Sequence, residues 1–528
     1  MFASRTNWPL ERNRFSLALE NHRRTGAKLF DLTASNPTTC GFAYPEQEIL
    51  AALADPRALT YRPESKGLRE AREAVANYYH GRAGFTSPES HRVDTSPVRR
   101  GRGEDASPVR AESADANLAH AASVAVKTID PENIVLTSGT SEGYSYIFRL
   151  LCDPGDEILV PAPSYPLFEF LADLADVRLV PYPLLYDHGW QIDFEALRAA
   201  LTPRARAVLV VHPNNPTGSF VKTREAAELA EMCATRGMAI VADEVFLDYP
   251  VVNRRAGGRT SHEHTGAERT AADRTAGEPT TGEPTAGDRT AGEPAAAGAD
   301  RTSQEHTGAE RTVGEADGVK PRTFACGSAV DRAAGNRTAG DGTAGDRADG
   351  AAARTFAFGS AALTFTLSGI SKICALPQMK LAWIVAGGPQ HLVAAAMERL
   401  EIIADTFLSP GAPAQVALPR FLEMRGGLQA QLQQRVAANL GYLDALLQGG
   451  PGPLERLARE GGWYAVLRIP SSRSDEEYAV ELLERCAVLA HPGQFFNFSQ
   501  EGFLVLSLIA PEDEFQEGAR RLHKFFAA

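Results

Sequence analysis

The chain predicts an α/β protein whose mainly parallel sheet is wrapped by helices, and three observations carry that expectation. Short apolar runs alternate with segments of helical spacing between residues 132 and 246. Each apolar run gives way to small or polar residues, which is how buried strands feed the loops where ligands gather in such sheets. Hydrophobic residues make up 44% of the 528, enough for a large core.

The elements follow in order. "ENIVLTSG" (132–139) predicts a strand and "TSEGYSYIFRLLC" (140–152) a helix. "DEILVPAP" (156–163) is a strand, "LFEFLADLAD" (167–176) a helix and "VRLVPYPL" (177–184) a strand. "DFEALRAALT" (193–202) is a helix with Asp193 as its cap. "ARAVLVVHP" (205–213) reads as a buried strand, "REAAELAEMCATRG" (224–237) as a helix ending at Gly237, and "MAIVADEVF" (238–246) as a strand.

Two stretches break this rhythm. From 251 to 353 the chain runs through repeats such as "RTAGEPTTGEPTAGDRTAGEP", almost without aliphatic or aromatic residues. Such a composition cannot bury enough surface to offset its ordering entropy. "RTFACGSA" (322–329) returns as "RTFAFGSA" (354–361), the trace a repeat expansion inside a loop would leave. A shorter stretch, 87–120, is similar and contains "SPVR" twice. Both are read as insertions between folded elements.

The formal net charge of -12 argues against broad nucleic-acid binding, which needs clustered Lys and Arg. Six scattered cysteines with no CxxC pair give neither a disulfide framework nor a metal framework and suit a reducing compartment. "MFASRTNWPLERNRF" lacks the apolar run of a signal peptide, and no stretch reaches the length of a membrane helix. The expectation is a soluble, cytoplasmic protein.

The loops after the strands carry the chemistry. "TSGTSEG" (137–143) offers backbone N–H groups and the Thr140 and Ser141 hydroxyls at a helix start, which is a phosphate cradle or simply a cap. In "PAPSYP" (161–166), Tyr165 is held by prolines as a plate for a planar ring or as a core tyrosine. "HPNNPTG" (212–218) aims an amide side chain at the strand's carboxyl end, in a sequence more particular than a tight turn requires. In "VADEVF" (241–246), Asp243 ends an apolar strand, where a carboxylate is costly without a partner such as a pyridinium N–H. In "GISK" (369–372), Lys372 is either a loop-end lysine with its head in water or a covalent anchor for a carbonyl cofactor.

Taken in order, the Ser-Gly-Thr-Ser loop, Tyr165, Asn-Pro-Thr-Gly, Asp-Glu-Val and Ser-Lys resemble the class I/II aminotransferases among the fold-type I pyridoxal-phosphate (PLP) enzymes. The resemblance implies a large domain with a mainly parallel sheet flanked by helices, plus a smaller α+β domain from the N- and C-terminal segments. Residues 1–50 would form an arm and part of the small domain. Residues 51–86 and 121–250, continued by 354–400, would form the PLP-binding domain, and 401–528 the rest of the small one. It also implies roles. Lys372 would be the Schiff-base lysine and proton shuttle. Asp243 would hold the pyridine nitrogen, Asn215 the phenolic oxygen, and Tyr165 the ring face. Gly139, Thr140 and Ser141 would hold the phosphate, with Lys380 where an arginine is more usual. Tyr61, in "TYRPESKG", would reach the neighbouring subunit's phosphate, implying a homodimer.

Two departures stand out. Phe246 occupies a position that is tyrosine in many relatives, so one donor to the phenolic oxygen is lost. Val505, in "GFLVLSLIAP", stands where relatives carry the arginine that clamps a substrate carboxylate. Residues 486–519 contain no Lys or Arg, and Arg468 is either a substitute or a surface strand residue. The resemblance implies an aminotransferase moving an amino group between an amino acid or amine and a keto acid or other carbonyl compound. A PLP lyase or decarboxylase on the same fold is the alternative. A non-catalytic PLP-binding regulator, from a different class, is opposed by the intact Lys372. Trp463, Tyr464, Phe495 and Phe496 read either as pocket lining or as core.

Overall fold

Aliphatic runs become strands buried on both faces, and β6 (Ala205–Val211) shows how. Its Ala207, Leu209 and Val211 enter one core cluster while Val208 and Val210 enter another, the two-residue alternation of a strand. This computed structural model describes residues 1–82, 84–85, 128–251, 354–408, 410–448 and 452–528. All of them lie in one compact unit of the chain. The stretches 87–120 and 251–353, read above as insertions, fall outside the described residues, apart from Val251.

In chain order the strands begin with β1 (Phe30–Asp31), β2 (Ile134–Thr137), β3 (Glu157–Ala162), β4 (Arg178–Tyr186) and β5 (Trp190–Ile192). After β6 come β7 (Ala239–Asp243), β8 (Thr364–Gly369) and β9 (Ala382–Gly387). The C-terminal part adds β10 (Glu455–Arg456), β11 (Tyr464–Arg468), β12 (Val488–Leu489), β13 (His491–Pro492) and β14 (Phe503–Ser507).

Eight strands form the large sheet in the order β2-β9-β8-β7-β6-β3-β4-β5. Only β9 and the edge strand β5 run against the rest. The carboxyl ends of β2, β3, β6, β7 and β8 therefore share one edge. Helices Thr140–Leu151, Phe168–Leu174 and Gln390–Phe407 cover one face, and Phe194–Ala199 and Thr223–Arg236 the other. Local signals end these helices as the sequence predicts. The Asp193 side chain accepts from Ala196 N–H at 2.9 Å, and Gly237 closes its helix at φ +66°. The edge strand β5 is an addition to the predicted pattern.

A second, antiparallel sheet has the order β10-β11-β14-β13, and β1 pairs in parallel with β12. Helix Ala412–Gln448, about 55 Å long at 1.5 Å per residue, serves two cores. Its Val416, Phe421 and Leu422 pack with Ile49, Val75 and Trp383, while Leu428, Leu432 and Leu443 join the core of the smaller sheet. Helix Arg14–Thr25 adds Phe15, Ala18 and Leu19 to that same core. Among the described residues no helix is long and apolar enough to cross a membrane.

Candidate active site

β8 ends at Gly369, where any Cβ would come within 2.8 Å of the Ala382 side chain on β9, so only glycine fits. One short turn follows, Ile370–Ile373, and it carries Lys372. The Tyr249 hydroxyl donates to the Lys372 backbone carbonyl at 2.7 Å and fixes that turn. The amine lies 5.0 Å from the centre of the Trp463 ring and 5.7 Å from that of Phe246. These two rings meet edge to face at 4.9 Å and 79°. Burial pulls the Lys372 pKa down to about 8, with Asp243 the main charge pulling the other way.

Asp243 ends β7 and is buried. One carboxylate oxygen accepts from the Tyr144 hydroxyl at 2.7 Å and the other from Val245 N–H at 3.1 Å. Burial raises its pKa above the usual carboxylate value, opposed by Tyr144, Val245 and Lys372. The neighbouring Glu244 is committed elsewhere, accepting from the Thr355 hydroxyl and Phe356 N–H, both at 2.6 Å. Of the two adjacent acids, one is consumed by the fold and one is turned to the sheet edge.

The same division recurs in "HPNNPTG". Val211 stands opposite Asp243 in the sheet, so this turn leaves beside β7. The Asn214 amide donates to Pro163 carbonyl at 3.3 Å, and its oxygen accepts from the Thr217 hydroxyl at 2.9 Å. Asn215, equally buried, keeps its side-chain oxygen without a hydrogen-bond partner. A buried acceptor left open is costly unless a ligand fills it. Gly218 closes the turn at φ +70°, where a Cβ would strike the Gly461 carbonyl at 2.4 Å.

Gly139, Thr140 and Ser141 lie at the start of helix Thr140–Leu151 and are partly buried. A Cβ at Gly139 would meet nothing within 4 Å, so space stands open over this helix start. Tyr165 follows β3, packs edge to face on Phe168 at 5.7 Å, and has its pKa raised by burial, then by Tyr464 and Asp243. The fold thus brings Lys372, Asp243, Asn215, Tyr165 and the Gly139–Ser141 loop to one edge. Lys380 is exposed, in a left-handed backbone conformation at φ +49°. Tyr61 is 76% exposed, facing away from its own chain's core.

The departures can also be located. Phe246 lies near the lysine and is buried, supplying a ring and no hydroxyl. Val505 is fully buried in β14, opposite Val466 on β11 and His491 on β13. Burial holds the His491 pKa down to about 4, so the imidazole there is neutral. Arg468 is the surface strand residue: it is exposed and pairs with Glu455 at 2.6 Å. Trp463 faces the lysine, whereas Phe495 and Phe496 pack around His491.

Sequence reasoning missed Tyr144 and Tyr249, which hold Asp243 and the Lys372 turn. A signal for the first existed, because Tyr144 stands one helical turn after Thr140 and so shares its face. No local signal marks Tyr249.

The aminotransferase class I and II family profile matches residues 107–252. Glutamate-pyruvate aminotransferase AlaA of Escherichia coli is 27% identical over 222 residues, covering 42% of this chain and 44% of that protein. Alanine aminotransferase of Mycobacterium tuberculosis is 26% identical over 241 residues, 45% of each chain. The chain thus spans less than half the length of these curated relatives. Among solved structures, an aminotransferase from Escherichia coli superposes with a TM-score of 0.66 at 20% identity, covering 100% of this chain and 98% of that one. Alanine aminotransferase from Pyrococcus furiosus gives 0.65 at 18% identity with full coverage of both. At such identities the structures speak for the fold, which is that of the fold-type I enzymes. The matched profile and these relatives make the chain similar, over part of its length, to the class I and II aminotransferases.

Proposed function

We propose that the protein is a PLP-dependent aminotransferase that moves an amino group between an amino acid or amine and a keto acid or other carbonyl compound. The observation that carries this reading is the pairing of a depressed lysine with a buried carboxylate at one sheet edge. The residues fit the cofactor. The orphaned Asn215 oxygen and the open space over Gly139 are what a ring and a phosphate would fill. Gly139, Thr140, Ser141 and Lys380 would hold the phosphate, Tyr165 the ring face, Asn215 the phenolic oxygen and Asp243 the ring nitrogen. When bound, the cofactor supplies an electron sink for charge developing at the substrate carbon.

The chain's own groups do the rest. With a pKa of about 8, roughly a tenth of the Lys372 amine is neutral at pH 7 and able to attack a carbonyl. Displaced by substrate, the same amine is the base that takes and returns the substrate proton. Trp463 and Phe246 set their rings beside that amine. Tyr61 and Leu59, two residues before it, are 76% and 90% exposed, and this surface suits a second copy that would receive Tyr61. Scattered thiols favour the cytoplasm as the working compartment.

The test is a visible-absorbance titration of purified protein with PLP, followed by a panel of amino acids and amines. Bleaching of the cofactor band with appearance of keto product supports transamination and names the donor. Pyruvate or ammonia with the band restored turns the reading to a lyase. Absence of any band sinks it.

A further inference from the structure

We propose that Tyr144 is a positioning residue for Asp243, its hydroxyl holding the carboxylate in one orientation and in its ionised form. The inference rests on the reading of Asp243 as the group that faces the cofactor's ring nitrogen. Tyr144 is 1% exposed, and its hydroxyl donates to Asp243 Oδ2 at 2.7 Å. Its ring is wedged between Phe168, edge on at 5.1 Å, and Phe148 at 6.0 Å. Phe168 also packs against Tyr165, so one side chain buttresses both the carboxylate's donor and the aromatic plate.

The charges around Asp243 set the problem this hydroxyl answers. Lys372 favours the carboxylate, while the neighbouring Glu244 and the Tyr165 hydroxyl give it no support. Burial opposes ionisation and is the largest influence. A donor fixed to a carboxylate oxygen favours the charged form. The Tyr144 hydroxyl is itself driven far above its ordinary pKa, by burial first and Asp243 second, so it keeps its proton and donates at every working pH. With Val245 N–H on the other oxygen, the carboxylate is held at two points and retains lone pairs for a third partner.

The test compares Tyr144→Phe, Asp243→Asn and Phe148→Leu with the wild type. PLP affinity is measured by fluorescence and kcat by product formation, each from pH 5.5 to 9. Tyr144→Phe is expected to shift the acid limb of both profiles upward by about one unit, weakening PLP binding about tenfold below it. Raising the pH restores that variant to within about twofold, because the carboxyl ionises there without help. Asp243→Asn is expected to stay impaired at every pH. Phe148→Leu trims the same packing, keeps the hydroxyl, and leaves the acid limb unmoved. A Tyr144→Phe profile matching the wild type, or a loss that higher pH does not restore, overturns the proposal. Wild-type protein that takes up no PLP at any pH brings down the cofactor reading, and this inference with it.

Discussion

At the carboxyl edge of the eight-stranded sheet a carboxylate and an amide are buried side by side, whereas the buried residues of β11 and β14 in the four-stranded sheet are aliphatic apart from Ser507. Asp243, Asn215 and Lys372 each sit beside a group that secures the backbone for them: Glu244 on Thr355, Asn214 on Pro163, and the Tyr249 hydroxyl on the Lys372 carbonyl. In β11 and β14 the order is reversed. Val505 is sealed between Val466 and a neutral His491, and the strand's cation, Arg468, is turned outward to Glu455. The difference separates two jobs. Groups suited to chemistry are supported by dedicated neighbours, while the strand that the family resemblance would have clamp a carboxylate is ordinary core.

The strongest way to break this comparison is Lys372→Ala. Removal of nucleophile and base together should cost at least about a thousandfold in turnover. It should also abolish borohydride-trapped cofactor in the intact mass, and a variant that still traps it on another lysine would refute the assignment. Next comes Val505→Arg, the substitution that supplies the arginine the family resemblance leads one to expect. If the strand is core, an unpaired charge there costs about 3–5 kcal/mol, read as a lower denaturation midpoint with no gain in affinity for amino acids. Tighter binding of carboxylate substrates at unchanged stability would show that the position faces the site after all.

The third prediction concerns His212. Its Nδ1 accepts from Val221 N–H at 3.0 Å, which assigns the proton to Nε2 and a donated bond to Arg354 carbonyl at 2.9 Å. Burial lowers its pKa to about 4. The unfolded chain therefore binds the proton first, and the stability contribution is complete above about pH 6.5 and is lost as pH falls toward 4. The stability lost over that window should be about 3 kcal/mol smaller in His212→Gln, which keeps both hydrogen bonds without titrating; His491 supplies a second, unchanged contribution. An identical pH dependence in the variant would show that the ring does not titrate as described. The smallest effect is the contrast between neighbours. Asn214→Ala should lose about 1–2 kcal/mol, and Asn215→Ala close to none, since its oxygen has no partner to lose. PLP affinity should fall in Asn215→Ala. Equal losses of stability in the two variants would erase the distinction between them.

Strands, caps and the five loops were legible because each rests on neighbours in sequence: apolar alternation, Asp193 before its helix, Gly237 after one. The choice within "NNP" and "DEV" was legible only through the family resemblance. In the structure it rests on Pro163 and Thr355, which are distant in sequence. Trp463 over the lysine was beyond reach for the same reason, since it arrives on the bend just before β11 of the other sheet. Val505 could be seen as a departure, but its burial against His491 depends on register, which composition does not encode.

The pairing of β1 with β12 has a consequence in time. Synthesis delivers Phe30 early and Val488 late, so every strand of the large sheet has emerged before Phe30–Asp31 finds its partner. The stretch Ala34–Cys40, which follows β1 and brings Cys40 within electrostatic reach of Lys372, is held at its end by Arg435 on the Cys40 carbonyl and gains its strand anchor only then. On the ribosome, the lysine's surroundings are therefore built in two instalments, and a nascent chain halted before Val488 holds that stretch from its Cys40 end alone, where a protease would find its free half.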